Sequence, residues 1–524
     1  MSARCFAHHT FVTLLLGCAA LAQVAVTTQH NDNYRTGQNT SEPTLTLANV
    51  NKTQFGKLFT QTVDGYVYAQ PLYVPNVSVA GKSTHNVVYV ATEHDSVYAF
   101  DADNKTGANA SPLWQKSFIN PAGGINVVSS GDVSCSDLVP EIGVTGTPAI
   151  DLATGTMYLI AKTKENGNFV QRLHALDITS GAEKFGGPIV IQAQFNGTAD
   201  GGKKVAFDPL REAQRAGLLV QNGVVYIGWA SHCDIGPYHG WVMAYDAYTL
   251  QQKSVWNATP NGGLGGFWQS GAGIAVDSRD LLYVASGNGT FDKDQKGKDF
   301  GDSIVKLGFN TMGKLIVKDY FTPHDQAFLE STDLDLGSGG VLLIPDRPGK
   351  VHPYLLVQVG KEGTVYLTSR NKMGKYNPND DSQIIQNLPG AVGGSWGMPA
   401  FWNNNVYFGG VSDNLKMFSF DPNAGLLSTT PASNTGTFFN YPGTTPSISS
   451  NGTSNGIVWA LQTDHNPAVL HAYNATNLSS ELYNTTQNAS RDNPGNSVKF
   501  TVPTIANGKV YVGAQKQISV FGLL

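Results

Sequence analysis

Short apolar runs recur along the whole chain, each about four residues long and bounded by polar, glycine- or proline-bearing turns. Runs this short, rich in Val, Ile and Tyr, predict β-strands. They come in pairs. A small or proline-bearing turn leads into one strand, and a second strand of the type V-Y-V-G follows a polar turn. Gln70-Pro71-Leu72-Tyr73 precedes Val88-Tyr89-Val90-Ala91, and Thr147-Pro148-Ala149-Ile150 precedes Met157-Tyr158-Leu159. Further copies begin near Gly217, Gly273, Val341, Met398 and Thr445, and the eighth joins Val502-Pro503-Thr504-Ile505 to Val510-Tyr511-Val512-Gly513. Several continue into a third strand, as at Val97-Tyr98-Ala99-Phe100, and a short fourth, as at Leu113-Trp114-Gln115.

Four short antiparallel strands repeated eight times predict an all-β protein, an eight-bladed β-propeller. A parallel β-helix needs a shorter, stricter period, and paired sandwiches would not repeat eight times. The last copy stops at Ile518-Ser519-Val520-Phe521 without an outer strand. Phe55-Gly56-Lys57-Leu58-Phe59 is expected to supply it, so that the N-terminal strand closes the ring and leaves no free edge. One domain then spans 23–524, although length alone suggests about three.

Composition agrees. Charged residues are 14% of the chain against a usual value of about 25%, and 58 of 524 residues are glycine. Lys plus Arg number 34 against 39 Asp plus Glu. That near balance argues against nucleic acid or an anionic membrane as a partner.

Arg4 followed by an apolar stretch to Ala22, ending Ala20-Leu21-Ala22, reads as a signal peptide over 1–22 cleaved before Gln23. A short membrane anchor is the competing reading, but spanning needs about 20 apolar residues. The mature chain is then expected to be secreted. Cys135 and Cys233 remain after cleavage and are expected to pair, with two separate buried thiols as the alternative. Sequons at Asn51, Asn76, Asn104, Asn196, Asn257, Asn451, Asn474 and Asn484 suit a eukaryotic glycoprotein, though not every one need carry sugar.

The first unit, VYVATEHDSVYAFDADN followed by PLW, resembles the repeat of the quinoprotein alcohol dehydrogenases. Five segments in the middle repeats are similar, in order, to that family's site segments. Cys233-Asp234 and the following His239-Gly240-Trp241 resemble the segment whose acid binds calcium, which places Asp234 on the metal. Gly266-Phe267-Trp268-Gln269 resembles the segment whose Trp underlies the quinone. Ser286-Gly287-Asn288-Gly289 resembles one carrying a second calcium ligand, Asn288. Gly301-Asp302-Ser303-Ile304 resembles the segment of the catalytic base, implying that role for Asp302 and a share in the metal. Lys361-Glu362-Gly363 resembles the segment whose cation contacts the quinone oxygens, implying that role for Lys361.

The resemblance implies a secreted oxidoreductase that uses pyrroloquinoline quinone and calcium on a small-molecule alcohol or sugar. Carboxylate and amide oxygens suit a hard cation, a base takes the hydroxyl proton, and a lysine stabilises charge on the reduced cofactor. Each residue also has a plain reading. The aspartates can cap turns, Asn288 heads a sequon, Lys361 can be a solvated hairpin residue, and Trp268 can be packing. The chain departs from the family too: Cys135-Ser136 stands where the family has adjacent cysteines, and Asp replaces the Glu ligand. Without C-x-x-C-H there is no covalent haem, so a separate electron acceptor is implied.

His232, Cys233, Asp234 and His239 form a second candidate metal set. Gly393-Gly394-Ser395-Trp396-Gly397 matches G-x-S-x-G but leads into a strand, without the helix a nucleophile elbow needs. A propeller that binds a ligand or partner on its axial face, and one adapted to another reaction such as a secondary-metabolite step, remain the alternatives.

Overall fold

Each V-Y-V repeat becomes the buried second strand of a blade. In blade 1, Leu72–Ser78, Thr84–Thr92, Ser96–Asp101 and Trp114–Ser117 pair antiparallel in that order from the axis outward. Blade 3 runs Leu219–Gln221, Val224–Ser231, Trp241–Asp246 and Gln252–Asn257. Blade 4 runs Ala275–Val276, Leu282–Ala285, Ile304–Phe309 and Leu315–Phe321. Eight such units form the propeller of this computed structural model, which describes residues 23–524; the proposed leader, 1–22, lies outside the described residues. Most blades have four strands. Blade 2 gains Ile125–Ser129 and Glu141–Ile142, and in blade 6 Ser433–Phe439 also pairs with the third strand.

The tyrosine of the repeat has a structural job. Tyr89, Tyr158, Tyr407 and Tyr511 are all buried. A buried hydroxyl needs a partner, and each donates to a backbone carbonyl in the next blade. Tyr89 reaches Ile178 at 2.9 Å, Tyr158 reaches Ala247 at 2.8 Å, and Tyr407 reaches Ala475 at 2.8 Å. Tyr511 of blade 8 reaches Ala102 of blade 1 at 3.2 Å. One side chain thus contributes apolar packing and an inter-blade latch.

Blade 8 draws on both ends of the chain. Phe55–Tyr66 runs antiparallel to Lys509–Leu523, with Lys57 opposite Phe521 and Gln61 opposite Ile518.

The segment before it, Val26–Asn39, shows no repeat pattern and follows the inside of the ring. Its backbone bonds Tyr73 of blade 1, then Ile150, Val276, Leu343, Phe401 and Ile448 of blades 2, 4, 5, 6 and 7. Asn39 Nδ2 donates to Ile505 of blade 8, and the Arg35 guanidinium to Leu218 beside blade 3. Each blade therefore meets this arm through its innermost strand. Asn33 and Tyr34 touch Gln221 and Ser278, at the turns leaving the innermost strands, so the arm lies toward that end of the axis. No helix among the described residues is long and apolar enough to cross a membrane.

Candidate functional site

The opposite end of the axis is built from loops that follow second strands or precede innermost ones. Antiparallel alternation puts both kinds of loop on one face. Asn288 follows the second strand of blade 4 and Lys361 that of blade 5, Leu355–Val359. Trp268 precedes the innermost strand of blade 4, and Asp234 follows the second strand of blade 3. Lys361 Nζ lies 2.6 Å from Asp335 and 2.7 Å from Asp333. The Asn288 N–H donates to Asp335 Oδ1 at 2.6 Å, and its Nδ2 to Asp333 at 3.0 Å. Lys361, Asn288 and the segment Asp333-Leu334-Asp335 form one junction.

Asp335 and Asp333 were not singled out by sequence. The signal available was the acid–apolar–acid spacing just before Gly337-Ser338-Gly339, entering blade 5. Burial pushes the Asp335 carboxyl above the usual carboxylate range, with Lys361 pulling the other way. Burial also works against the Lys361 charge, but Asp335 and Asp333 outweigh it and raise the ammonium above its ordinary value.

Asp302 is brought close but sits differently. It is wholly buried and accepts the Leu336 N–H at 3.1 Å, one residue beyond Asp335. Burial first, then the nearby Asp335 charge, push its carboxyl well above the usual range. It braces the backbone that carries Asp335.

Trp268 is half-buried, its Nε1 donating to the Ser231 carbonyl at 3.2 Å. Tyr238 meets it edge-on at 5.8 Å and donates its hydroxyl to Asp234 at 2.5 Å. Asp234 is exposed and within electrostatic reach of Asp333 and Lys361. The junction closes only because residue 287 lacks a side chain: a Cβ there would lie 2.2 Å from Asp335 Oδ1 and 2.7 Å from the Trp268 ring.

The rest of the mouth is aromatic. Lys361 stands 6.0 Å from the Trp396 ring, Trp396 packs on Tyr441 at 5.5 Å, and Tyr441 on Phe500 at 6.3 Å. Arg215 covers Phe500 at 4.2 Å and pairs with Asp137 at 3.3 Å. The Gly393–Gly397 segment thus supplies an aromatic wall, with no helix after it.

Cys135 and Cys233 are bonded, with sulfurs 1.97 Å apart. This disposes of the second metal set. Cys233 is consumed, His232 faces Lys162 at 2.8 Å, and His239 is held by Thr259 and Asp200. Two of the sequon asparagines are buried here: Asn257 is 1% exposed and Asn288 is 7% exposed.

No three His, Cys, Asp or Glu side chains among the described residues converge closely enough to hold a metal by themselves. A carboxamide oxygen is needed as well, and one is available. Asn288 Oδ1 is buried without a hydrogen-bond partner, beside acids that outnumber their one ammonium. An orphaned acceptor among carboxylates fits a hard cation. Trp268 presents a flat, half-buried ring and Lys361 a positive charge, groups that would suit a planar quinone.

An eight-bladed ring with its polar loops gathered on one axial face has the fold of the quinoprotein alcohol dehydrogenases. The chain is similar to the quinohemoprotein alcohol dehydrogenase of Comamonas testosteroni, with a TM-score of 0.63 and 16% identity over 96% of this chain and 81% of that one. It is similar to quinohemoprotein alcohol dehydrogenase ADHIIG of Pseudomonas putida HK5, at 0.60 and 15% over 95% and 80%. A europium-containing methanol dehydrogenase gives 0.61 and 14% over 95% and 98%. Identities this low show the fold. No family model and no curated protein matches the chain.

Proposed function

We propose that this chain is a secreted oxidoreductase that oxidises an alcohol or sugar hydroxyl with pyrroloquinoline quinone and a hard cation, calcium in the first instance. The observation that carries this reading is the junction of Asp335 with Lys361 and Asn288 beside Trp268. When bound, the quinone accepts hydride and the cation polarises its carbonyl. Asn288 Oδ1, Asp234 and Asp335 are the oxygens that would hold the cation, and Trp268 would floor the ring.

Asp335 is better placed than the fully sealed Asp302 to take the substrate proton, since Lys361 holds it directly and the loop carrying it faces the mouth. Lys361 favours the ionised form of that carboxylate and, with Asp333 and Asp335 taking two of its hydrogens, offers the third to an oxygen beside it. Asp302 positions Asp335 through the Leu336 N–H. Electrons leave to a separate acceptor, dye or protein. A non-redox axial-face binder is the second reading, favoured by the Cys135–Cys233 bond standing where the family has an adjacent-cysteine ring.

The test combines purified chain, quinone and calcium with a panel of alcohols and sugars and a dye acceptor. Quinone should quench tryptophan fluorescence, less so in Trp268→Ala, and dye reduction should need both additions. Asp335→Asn should lower kcat by about 10²–10⁴ while keeping quinone binding. No quenching and no turnover across the panel leaves the non-redox reading.

A further inference from the structure

Thirteen asparagines of this chain head an N-x-S/T sequon. Three are buried, five are exposed, and Asn51, Asn109, Asn474, Asn484 and Asn488 are half-buried, the last two at the end of the outer strand of blade 7 and in the loop after it, on the site face. On the face that carries the candidate site, Asn257 and Asn288 are sealed at 1% and 7% exposure. Asn39, in the axial arm, is also buried. Five are exposed, namely Asn76, Asn104, Asn196, Asn451 and Asn477.

Topology fixes where those five point. Asn76 and Asn451 lie at the ends of the innermost strands Leu72–Ser78 and Ser447–Asn451, at the turns into the second strands. Asn104 and Asn477 lie between the third and outermost strands of blades 1 and 7. In antiparallel blades these two classes of turn share one end of the axis, the end the arm approaches. Asn196 sits apart, on the hairpin Gln194–Asn196 with Lys204–Ala206 that joins the outer strand of blade 2 to the innermost strand of blade 3; this is a loop of the site face, held through Ala199 against Pro260 beyond the outer strand of blade 3.

We infer that N-linked oligosaccharide is carried on the arm-side face, at Asn76, Asn104, Asn451 and Asn477, and on the outer hairpin at Asn196, while the loops that carry Asp234, Trp268, Asn288 and Lys361 stay bare. In the transfer, Asn Nδ2 attacks the anomeric carbon of a lipid-pyrophosphate-linked oligosaccharide. The Nδ2–C1 bond forms, the C1–O bond to pyrophosphate breaks, the lipid pyrophosphate leaves and an Nδ2 proton passes to solvent. Transfer precedes folding, so a glycan on Asn257 or Asn288 would have to be buried and would stop the chain from folding. At the five exposed positions Nδ2 donates to no protein group among the described residues, and at Asn104 and Asn477 the sequon hydroxyl already bonds Oδ1, at 3.4 and 2.8 Å. Bulky, hydrated chains then surround the arm-side end of the propeller, and the one on the site face, at Asn196, stands beside the outer strand of blade 3 and not at the junction.

This rests on the secretion half of the proposed function. The full chain, leader included, is expressed in a eukaryotic secretory host and recovered from the medium. Peptide N-glycosidase in H₂¹⁸O converts each glycosylated Asn to labelled Asp, which peptide mass spectrometry maps. Label at Asn76, Asn104, Asn451, Asn477 and Asn196, with Asn257 and Asn288 unlabelled, is the expected result. Label at Asn257 or Asn288, or none at the four arm-side positions of secreted protein, overturns the inference while leaving export intact. A chain retained unglycosylated inside the cell overturns both. Native deglycosylation should leave quinone-dependent dye reduction within twofold, and a larger change would place a glycan near the mouth.

Discussion

Gly287→Ala isolates the geometry of the junction from its chemistry. Backbone strain does not enter, because Gly287 is not in the left-handed region; only the added carbon matters. That carbon would sit 2.2 Å from Asp335 Oδ1 and 2.7 Å from the Trp268 ring. To restore ordinary contact the carboxylate must retreat by about 1 Å, and such overpacking costs about 1–3 kcal/mol. The retreat also breaks the 2.6 Å bond from the Asn288 N–H and loosens the Lys361 pair. A displacement of about 1 Å at a reacting group lowers turnover by about 10²-fold. Quinone-dependent kcat, calcium-dependent stabilisation and urea unfolding are measured together. Gly263→Ala is the control, since a Cβ there meets nothing within 4 Å. If Gly287→Ala keeps kcat and calcium response within threefold of the parent, Asp335 and Trp268 are not held across residue 287 as described, and the site assignment fails.

Other expectations concern the framework and its titration. Arg35→Ala removes a buried guanidinium that donates to Ile274, Thr28 and Gln29, and should cost about 3–5 kcal/mol in chemical denaturation; a loss below about 1 kcal/mol would mean the arm is not structural. Burial pushes the Glu93 carboxyl up to about 7 from 4.5. The folded chain therefore holds more protons than the unfolded one between those values, and stability falls by about 3 kcal/mol as pH rises through that window. Glu93→Gln should flatten this fall, read by unfolding at pH 4 and pH 8, and an unchanged slope counts against the buried charge. Burial raises the Asp335 carboxyl while Lys361, and a cation when bound, pull it down, so Lys361→Met should shift the rise of quinone-dependent kcat to higher pH, read from a pH–rate profile. Cys135→Ser opens a bridge between residues 98 apart in sequence and should destabilise by about 4–5 kcal/mol in the chain-entropy treatment, measured against the disulfide-bonded parent, and the reduced parent should match the variant.

Strand pairs such as Leu72-Tyr73 with Val88-Tyr89-Val90 declare themselves in sequence because alternation and turn residues act over a few positions. Repetition then makes the propeller legible, since one blade cannot bury its own faces and eight together can. Trp268, Asn288, Asp234 and Lys361 stood out through local segments that keep a fixed order along the chain, and the loops carrying them reach one face. What the sequence could not show was partnership. That Asp335 meets Lys361, with Asp302 behind it, depends on loops from different blades meeting near one axis, a relation no local window contains. Only the tertiary structure could separate the buried Asn288 from the exposed Asn104, which head sequons of the same form. The arm from Val26 to Asn39 was invisible for a related reason. Its bonds run from single backbone groups to strands of the whole ring, so its residues need no apolar period of their own, and only the assembled ring gives them their partners.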